Sequence, residues 1–116
     1  MREIKFRAWD KEQKRMFDVY GINTDHIAED SYDSSDNSIH PRKTCILMQY
    51  TGLKDRNGKE IYEGDIILFS LNTGEKVKDT IVFEMGGFRT DKRNFPLTFY
   101  WSIEVIGNIY ENKELL

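Results

Sequence analysis

The sequence predicts a mainly β fold, either a small antiparallel barrel or a sandwich, from three observations. Polar and apolar residues alternate in the N-terminal stretch EIKFRAW, a period of two that is typical of a half-buried strand. Short apolar runs rich in β-branched and aromatic residues recur between Gly-containing turns. No strand and helix patterns alternate as in βαβ units, so the strands are expected to pair antiparallel.

Length, charge and cysteine content narrow the class of protein. The 116 residues fit one domain, expected to span 1–116, and the formal net charge of -3 gives no strong attraction for nucleic acid or an anionic membrane. Cys45 is the only cysteine, which rules out an intramolecular disulfide. The N-terminus lacks the apolar core of a secretory signal, and no apolar run approaches the roughly 20 residues that span a bilayer. A cytoplasmic location is therefore expected.

The first 22 residues predict a β-hairpin. The alternating stretch EIKFRAW is followed by the polar segment DKEQKR, and MFDVYGI then resumes the β-forming pattern. Residues 1–22 are expected to form an N-terminal hairpin whose turn is the polar segment.

An acidic segment follows, expected to be a loop over residues 23–43. Six acidic residues and no Lys or Arg occur between Asp18 and Pro41. This composition buries little surface and is typical of a mobile loop or insertion. A short helix near Asp25 to Asp30, capped by Thr24, is a second possibility.

The stretch LKDRNGKEIYEGDII, Leu53 to Ile67, is interpreted as a hairpin with a defined register. A two-residue Asn57-Gly58 loop would set like charges opposite each other, which opposes pairing. A three-residue loop ending in a left-handed Gly58 sets opposite charges together instead. The pairs expected from this loop are Asp55 with Lys59, Lys54 with Glu60, and Leu53 with Ile61.

Residues 44–116 are expected to form the barrel-like part of the domain. DIILFSL and KVKDTIVFEM read as strands on either side of an Asn72-Thr73-Gly74 turn, and IEVIGN reads as a closing strand. A two-residue Gly86-Gly87 loop would place Met85 opposite Phe88.

Three stretches carry a resemblance to a known family. MREIKFRAWD at the start, LMQYTGLKDRNGKEIYEGDII in the middle and IEVIGNIYENKELL at the end resemble the YopX-type family of phage and prophage proteins, in that family's usual order. The resemblance implies a phage or prophage origin, the bacterial host cytoplasm, a mainly β fold with a barrel similar to SH3-type barrels, and assembly into oligomers. It implies no established enzymatic activity, so no catalytic residue is carried over.

The sequence contains no recognisable metal or catalytic motif. His26 and His40 lie 14 positions apart, which does not match the short spacing of zinc ligands, and DSSDNS lacks the residue order of an EF-hand. Cys45 is interpreted as a small buried hydrophobe, and Asp65 as a residue that satisfies backbone donors at a strand start. No catalytic residue, metal site or cofactor is expected.

One stretch, FRTDKRNFPLTFYW, suggests a surface for single-stranded nucleic acid. Aromatic rings stack on bases and cations follow the phosphates in such surfaces. The same aromatic residues could instead fill the core or an oligomer interface. The candidate residues are Arg89, Lys92, Arg93, Phe88, Phe95, Tyr100 and Trp101.

The sequence favours a non-enzymatic accessory protein that binds a protein partner or assembles with itself. An unidentified phage or host protein and further copies of the chain are the expected partners, with no membrane involved. The alternative is a small barrel that binds nucleic acid through the aromatic and basic stretch.

Overall fold

Short antiparallel strands make up most of the chain in the computed structural model, which describes residues 3–30, 39–98 and 102–116. The mainly β prediction is confirmed. The described parts include two 3-10 turns, Arg42–Thr44 and Lys113–Leu115. The strands are β1 Phe6–Asp10, β2 Arg15–Ile22, β3 His26–Glu29, β4 Ile39–Pro41, β5 Cys45–Lys54, β6 Glu60–Tyr62, β7 Asp65–Ser70, β8 Lys76–Glu84, β9 Gly87–Thr90 and β10 Glu104–Asn108.

The chain divides into two compact units. We call Ile4–Gln49 the N-terminal unit, and Tyr50–Leu116 together with Glu3 the C-terminal unit. Strand β5 contributes its first five residues to the former and the rest to the latter. That residues 1–116 fold as one domain stays a prediction.

The N-terminal unit is built on the strand order β4-β3-β2-β1-β5. The expected N-terminal hairpin is present, since β1 and β2 pair from Arg7 opposite Asp18 to Asp10 opposite Arg15. Because side chains alternate along each strand, one face of these strands points inward. The apolar core of the N-terminal unit consists of Ala8, Phe17 and Ile27, with Val19, Cys45 and Leu47 packed against it.

The helix considered for the acidic segment is absent, and a strand takes its place. β3 pairs with β2 on one side and with β4 on the other, so these residues form ladder hydrogen bonds instead of a helical turn. The side chain of Asn23, not that of Thr24, caps the entry to β3, accepting hydrogen bonds from the backbone N–H groups of Asp25 (2.9 Å) and His26 (2.8 Å). Residues 31–38 of the expected loop lie outside the described residues.

The C-terminal unit contains the four-stranded sheet β10-β7-β8-β9 and the hairpin between β5 and β6. The sheet and the hairpin pack around one apolar core. In the described residues β9 and β10 are edge strands without a mutual pairing, so this sheet is not closed into a barrel by backbone hydrogen bonds. The core consists of Ile61, Ile67, Phe69, Val77, Ile81, Leu97, Ile103 and Val105.

The hairpin at Lys54 to Lys59 has the three-residue loop that the charge pattern predicts. Lys54 is paired with Glu60, the N–H of Asp55 donates to the carbonyl of Lys59 at 2.7 Å, and Gly58 has a φ of 82°. Beyond Lys54 a bulge shifts the register before Tyr50 meets Tyr62, so the expected pairing of Leu53 with Ile61 does not continue as a regular ladder.

The turn predicted at Gly86-Gly87 is displaced by one residue. Glu84 is paired with Gly87, so the two turn residues are Met85 and Gly86, with φ values of 54° and 79°. Positive φ at both positions defines a type I′ turn. The Asn72-Thr73-Gly74 turn is confirmed, with the N–H of Leu71 donating to the carbonyl of Glu75 at 2.8 Å.

Among the residues that the structure describes, no helix is both long and apolar enough to cross a membrane.

Candidate functional site

A buried histidine, His40 on β4, is the centre of a polar cluster inside the N-terminal unit. Its side chain is fully inaccessible to solvent. Nδ1 lies 2.7 Å from an Asp10 carboxylate oxygen, and Nε2 lies 3.2 Å from a Glu29 carboxylate oxygen. The ring stacks on Phe17, with centroids 4.1 Å apart and planes inclined by 15°. Both polar atoms and one face of the imidazole are therefore engaged.

The register of the strands brings the members of this cluster together. Asp10 lies opposite Arg15 on β2 and opposite Cys45 on β5, while His40 lies opposite Ile27 on β3. In the strand order, β4 is three places from β1, so His40 reaches Asp10 only because this sheet curls. The 3-10 turn joins β4 directly to β5, and the carbonyl of Thr44 in that turn accepts the N–H of Lys11 at 2.8 Å.

Arg15 holds the outer carboxylate of the cluster. Its guanidinium donates two hydrogen bonds to Glu29, at 2.8 and 2.6 Å, in the bidentate geometry that Arg makes with carboxylates. This pairing is the main cause that lowers the pKa of Glu29 to about 2; burial opposes the shift, and the His40 hydrogen bond assists it. Glu29 is therefore anionic at neutral pH.

Asp10 is held as a carboxylate inside the unit. Burial alone would raise the pKa of Asp10, but the N–H groups of Gln13 and Glu12, with His40, outweigh it and lower the pKa below its ordinary value. The two N–H groups both donate to Oδ1, at 3.0 and 2.9 Å, which leaves Oδ2 to face His40. One oxygen fixes the side chain and the other points at the imidazole.

Cys45 completes a set of three different ligand types. Its Sγ, a carboxylate oxygen of Asp10 and a ring nitrogen of His40 all lie within 4.8 Å of one another. Cys45 is partly buried, and burial raises the pKa of its thiol, so it is not an activated nucleophile in this state. Carboxylate, imidazole and thiolate are all ligands of divalent transition metals.

Sequence reasoning missed this cluster because most of its members are far apart in the chain. Asp10, Glu29, His40 and Cys45 come from four strands, and of these only His40 and Cys45, five positions apart, are close in sequence. The available signal was the short spacing between His40, at the end of the acidic segment, and Cys45, where the next apolar run begins. That signal alone does not identify a partner.

The aromatic residues of the nucleic-acid candidate have packing roles where the structure describes them. Phe88 packs against the core of the C-terminal unit and meets Phe83 edge to face, with centroids 4.9 Å apart. Phe95 meets Phe69 in the same manner at 6.3 Å, though it stays 38% exposed. Tyr100 and Trp101 lie outside the described residues.

The basic residues of the nucleic-acid candidate differ in their surroundings. Arg89 is tied to Asn94, donating to its side-chain oxygen at 2.6 Å and to its carbonyl at 3.1 Å. Lys92 and Arg93 are exposed in a turn that the carboxylate of Asp79 anchors, because it accepts their backbone N–H groups at 2.9 and 3.1 Å. Their side chains are thus presented to solvent by a fixed backbone.

A third cation, which sequence reasoning did not include, joins Lys92 and Arg93. Lys78 on β8 is exposed and lines the same groove, of about 260 Å³. We call Lys78, Lys92 and Arg93 the basic groove. The C-terminal residues Leu115 and Leu116 also line it.

The tip of the β8–β9 hairpin is an exposed apolar surface. Met85 is 91% exposed and Phe83 is 48% exposed, and Phe88 is only partly buried. Phe83 and Phe88 are directly opposite each other across the two strands. We call Phe83, Met85 and Phe88 the apolar tip.

Asp65 has the structural role that the sequence predicts. It is the first residue of β7, is 1% exposed, and accepts the backbone N–H of Tyr62 at 2.7 Å. The Asp65 carboxylate thus satisfies the buried backbone N–H of Tyr62 at the connection between β6 and β7.

Comparisons with known proteins agree over nearly the whole chain. The chain resembles the crystal structure of protein EF1440 from Enterococcus faecalis, with a TM-score of 0.72, 29% identity, and coverage of 100% of this chain and 99% of that one. It also resembles the X-ray crystal structure of protein yopX from Bacillus subtilis, with a TM-score of 0.64, 25% identity, and coverage of 97% of each chain. Curated protein sequences give no significant match.

A family model described as YopX protein matches residues 5–116. The matched range includes all the strands given above, and therefore both the His40 cluster and the apolar tip. The chain belongs to the YopX protein family.

Proposed function

We propose that this protein is a non-enzymatic interaction module that associates with a second copy of itself through the apolar tip. The observation that carries the proposal is Met85, an apolar side chain held 91% exposed in a left-handed backbone conformation. The proposal includes a phage or prophage origin and a place in the cytoplasm of the bacterial host.

Met85 is an unfavourable choice for the turn in which it lies. Both central positions of a type I′ turn require positive φ, which favours Asn and Gly, and a side chain such as Met loses about 1 kcal/mol there. Two other turns of this chain use Asn57-Gly58 and Asn72-Thr73-Gly74, whereas the β1–β2 turn also has a non-Gly residue with positive φ, the polar Lys14 at 53°. Because Met85 contributes little burial to its own fold, its side chain is better explained by a contact outside the chain.

The apolar tip is suited to pairing with itself. Phe83 and Phe88, directly opposite each other, provide an aromatic centre whose ring centroids are 4.9 Å apart. In a two-fold contact the same surface serves both copies, so an apolar centre meets an apolar centre.

The test compares the mass of the protein in solution with that of two variants. Met85→Asn removes the exposed side chain and suits the turn, and Tyr20→Ser, the control, removes an aromatic residue that is 78% exposed on β2. Light scattering after gel filtration measures the mass at protein concentrations from about 10 to 500 µM, the range in which small interfaces associate. The wild type and Tyr20→Ser should form dimers, while Met85→Asn should be monomeric. A monomeric wild type, or dimers of Met85→Asn, would contradict the proposal.

A second candidate function is nucleic-acid binding through the basic groove. It is favoured by the Asp79-anchored turn, which presents Lys92 and Arg93 beside Lys78. Fluorescence anisotropy of labelled single-stranded DNA and RNA should show binding that weakens steeply between about 20 and 200 mM salt. Neutralising Lys78, Lys92 and Arg93 together should abolish it, and no binding at the lowest salt would exclude this function.

A further inference from the structure

We propose that Asp10, His40 and Cys45 form a binding site for a divalent transition metal ion of the zinc type. This inference is independent of the interaction at the apolar tip. It also departs from the sequence-based expectation that the chain has no metal site.

The three side chains supply a ligand set that suits such an ion. A carboxylate oxygen, an imidazole nitrogen and a thiolate sulfur come from three strands, and all three atoms lie within 4.8 Å of one another. Three protein ligands with one open position are the usual arrangement of zinc sites that bind a further molecule, and the sulfur disfavours magnesium or calcium. The fourth position would take water.

Only small movements are needed to admit the ion. His40 Nδ1 and Asp10 Oδ2 are 2.7 Å apart. Oxygen and nitrogen ligands about 2.1 Å from a tetrahedral zinc ion are separated by roughly 3.4 Å, and a sulfur ligand by roughly 3.6 Å from either. The imidazole–carboxylate pair must therefore open by less than 1 Å, and the sulfur, within 4.8 Å of both atoms, must approach them by at most about 1.2 Å.

The surroundings of the ligands are already those of a metal site. Glu29 contacts the Nε2 of His40 at 3.2 Å, so a carboxylate orients the imidazole from the side opposite Nδ1. Ligating histidines are commonly held by a carboxylate in this way. Arg15 in turn fixes Glu29, and the stacked ring of Phe17 fixes the imidazole plane.

Asp10 is oriented as firmly as His40. Its Oδ1 accepts the N–H groups of Glu12 and Gln13, which leaves Oδ2 as the metal ligand. When the ion binds, the Cys45 thiol and His40 Nδ1 release their protons to solvent. The sulfur and the nitrogen then each donate a lone pair to the ion. The partial exposure of Cys45 gives the ion a path to a site whose other two ligands are buried.

Cobalt(II) is the probe for the test, because it adopts zinc geometry and reports its ligands by absorption. The full-length protein, reduced and freed of metal with a chelator, should bind one equivalent of Co²⁺. Binding should produce a thiolate-to-cobalt charge-transfer band in the near ultraviolet and intense visible bands typical of tetrahedral cobalt. Zinc should displace cobalt, remove these bands and raise the melting temperature.

Two variants make the test specific. Cys45→Ser should lose the charge-transfer band, bind at least about tenfold more weakly and show no zinc-dependent rise in melting temperature. His26→Asn removes an exposed histidine outside the cluster and should behave as the wild type. The proposal is overturned if the wild type gives no charge-transfer band, if the band persists in Cys45→Ser, or if His26→Asn abolishes it.

Discussion

Asp55 in the β5–β6 turn accepts the backbone N–H of Val105 on β10, 50 positions later in the chain, at 2.9 Å. The same carboxylate accepts the N–H groups of Asn57 and Lys59, each at 2.9 Å. Burial alone would raise the pKa of Asp55, but these three donors outweigh it and lower the pKa. One side chain thus closes the turn and attaches it to the end of the C-terminal unit.

Replacing Asp55 with alanine should destabilise the protein by about 3 kcal/mol, because backbone donors lose a charged acceptor where water does not replace it fully. Urea unfolding monitored by circular dichroism measures the loss. Asp91→Ala, at an exposed acidic residue in another turn, is the control and should change the free energy of unfolding by less than about 0.5 kcal/mol. Equal effects of the two substitutions would contradict the role given to Asp55.

Stability of the metal-free protein should fall with pH through the loss of the Glu29 ion pair. The folded-state pKa of Glu29 is lowered from 4.5 to about 2, so its stabilising contribution is complete above pH 4.5. It decreases as the pH falls from 4.5 toward 2, because protonation removes the Arg15 pairing. Urea unfolding at intervals over this range should show a shallower decline for Glu29→Gln than for the wild type. Parallel declines would show that Glu29 has no such effect.

Gly107 on β10 should not tolerate a side chain. A Cβ there would lie 2.6 Å from Oδ1 of Asn112 and 2.9 Å from its Cβ. Since that Oδ1 accepts the N–H of Asn108 at 3.1 Å, Gly107→Ala should displace Asn112 and cost about 1–3 kcal/mol. Gly21→Ala is the matched control, because its added Cβ would meet no atom within 4 Å. A smaller loss for Gly107→Ala than for Gly21→Ala in thermal unfolding would contradict this.

Met85→Asn should stabilise the monomer by about 0.5–1 kcal/mol, because Asn accepts the left-handed conformation better than Met does. Unfolding of dilute protein, below the range of association, measures this change. Phe83→Ala is the comparison, since it shortens the apolar tip without changing the turn and should not stabilise. If Met85→Asn is destabilising, Met85 stabilises its own fold and is not an unfavourable residue for this turn.

Local pairing rules predicted the fold well where charges and turn residues agreed. At the Lys54 to Lys59 hairpin, opposite charges favoured one register, and the structure has it. At Gly86-Gly87 the same reasoning was wrong by one residue, because the pairing that forms sets Phe83 against Phe88. There the aromatic contact outweighs the preference of the turn for two glycines.

The full His40 cluster could not be predicted from sequence spacing, which connects only His40 and Cys45. Its geometry depends on the curl of the sheet, which brings β4 to β1, and on strand pairings among residues that resemble a polar loop. The acidic composition suggested low burial, yet Ile27 on β3 is fully buried. A few apolar residues in register were enough to turn part of the segment into a sheet.

The most direct test of the proposed self-association is an isotope-filtered nuclear Overhauser experiment. Protein labelled with ¹³C only at methionine methyl groups is mixed with an equal amount of unlabelled protein. The Met85 methyl should show contacts to aromatic protons of the unlabelled copy, which arise only across an interface at the apolar tip. Dimers that give no such contacts would contradict the association of two copies through the apolar tip.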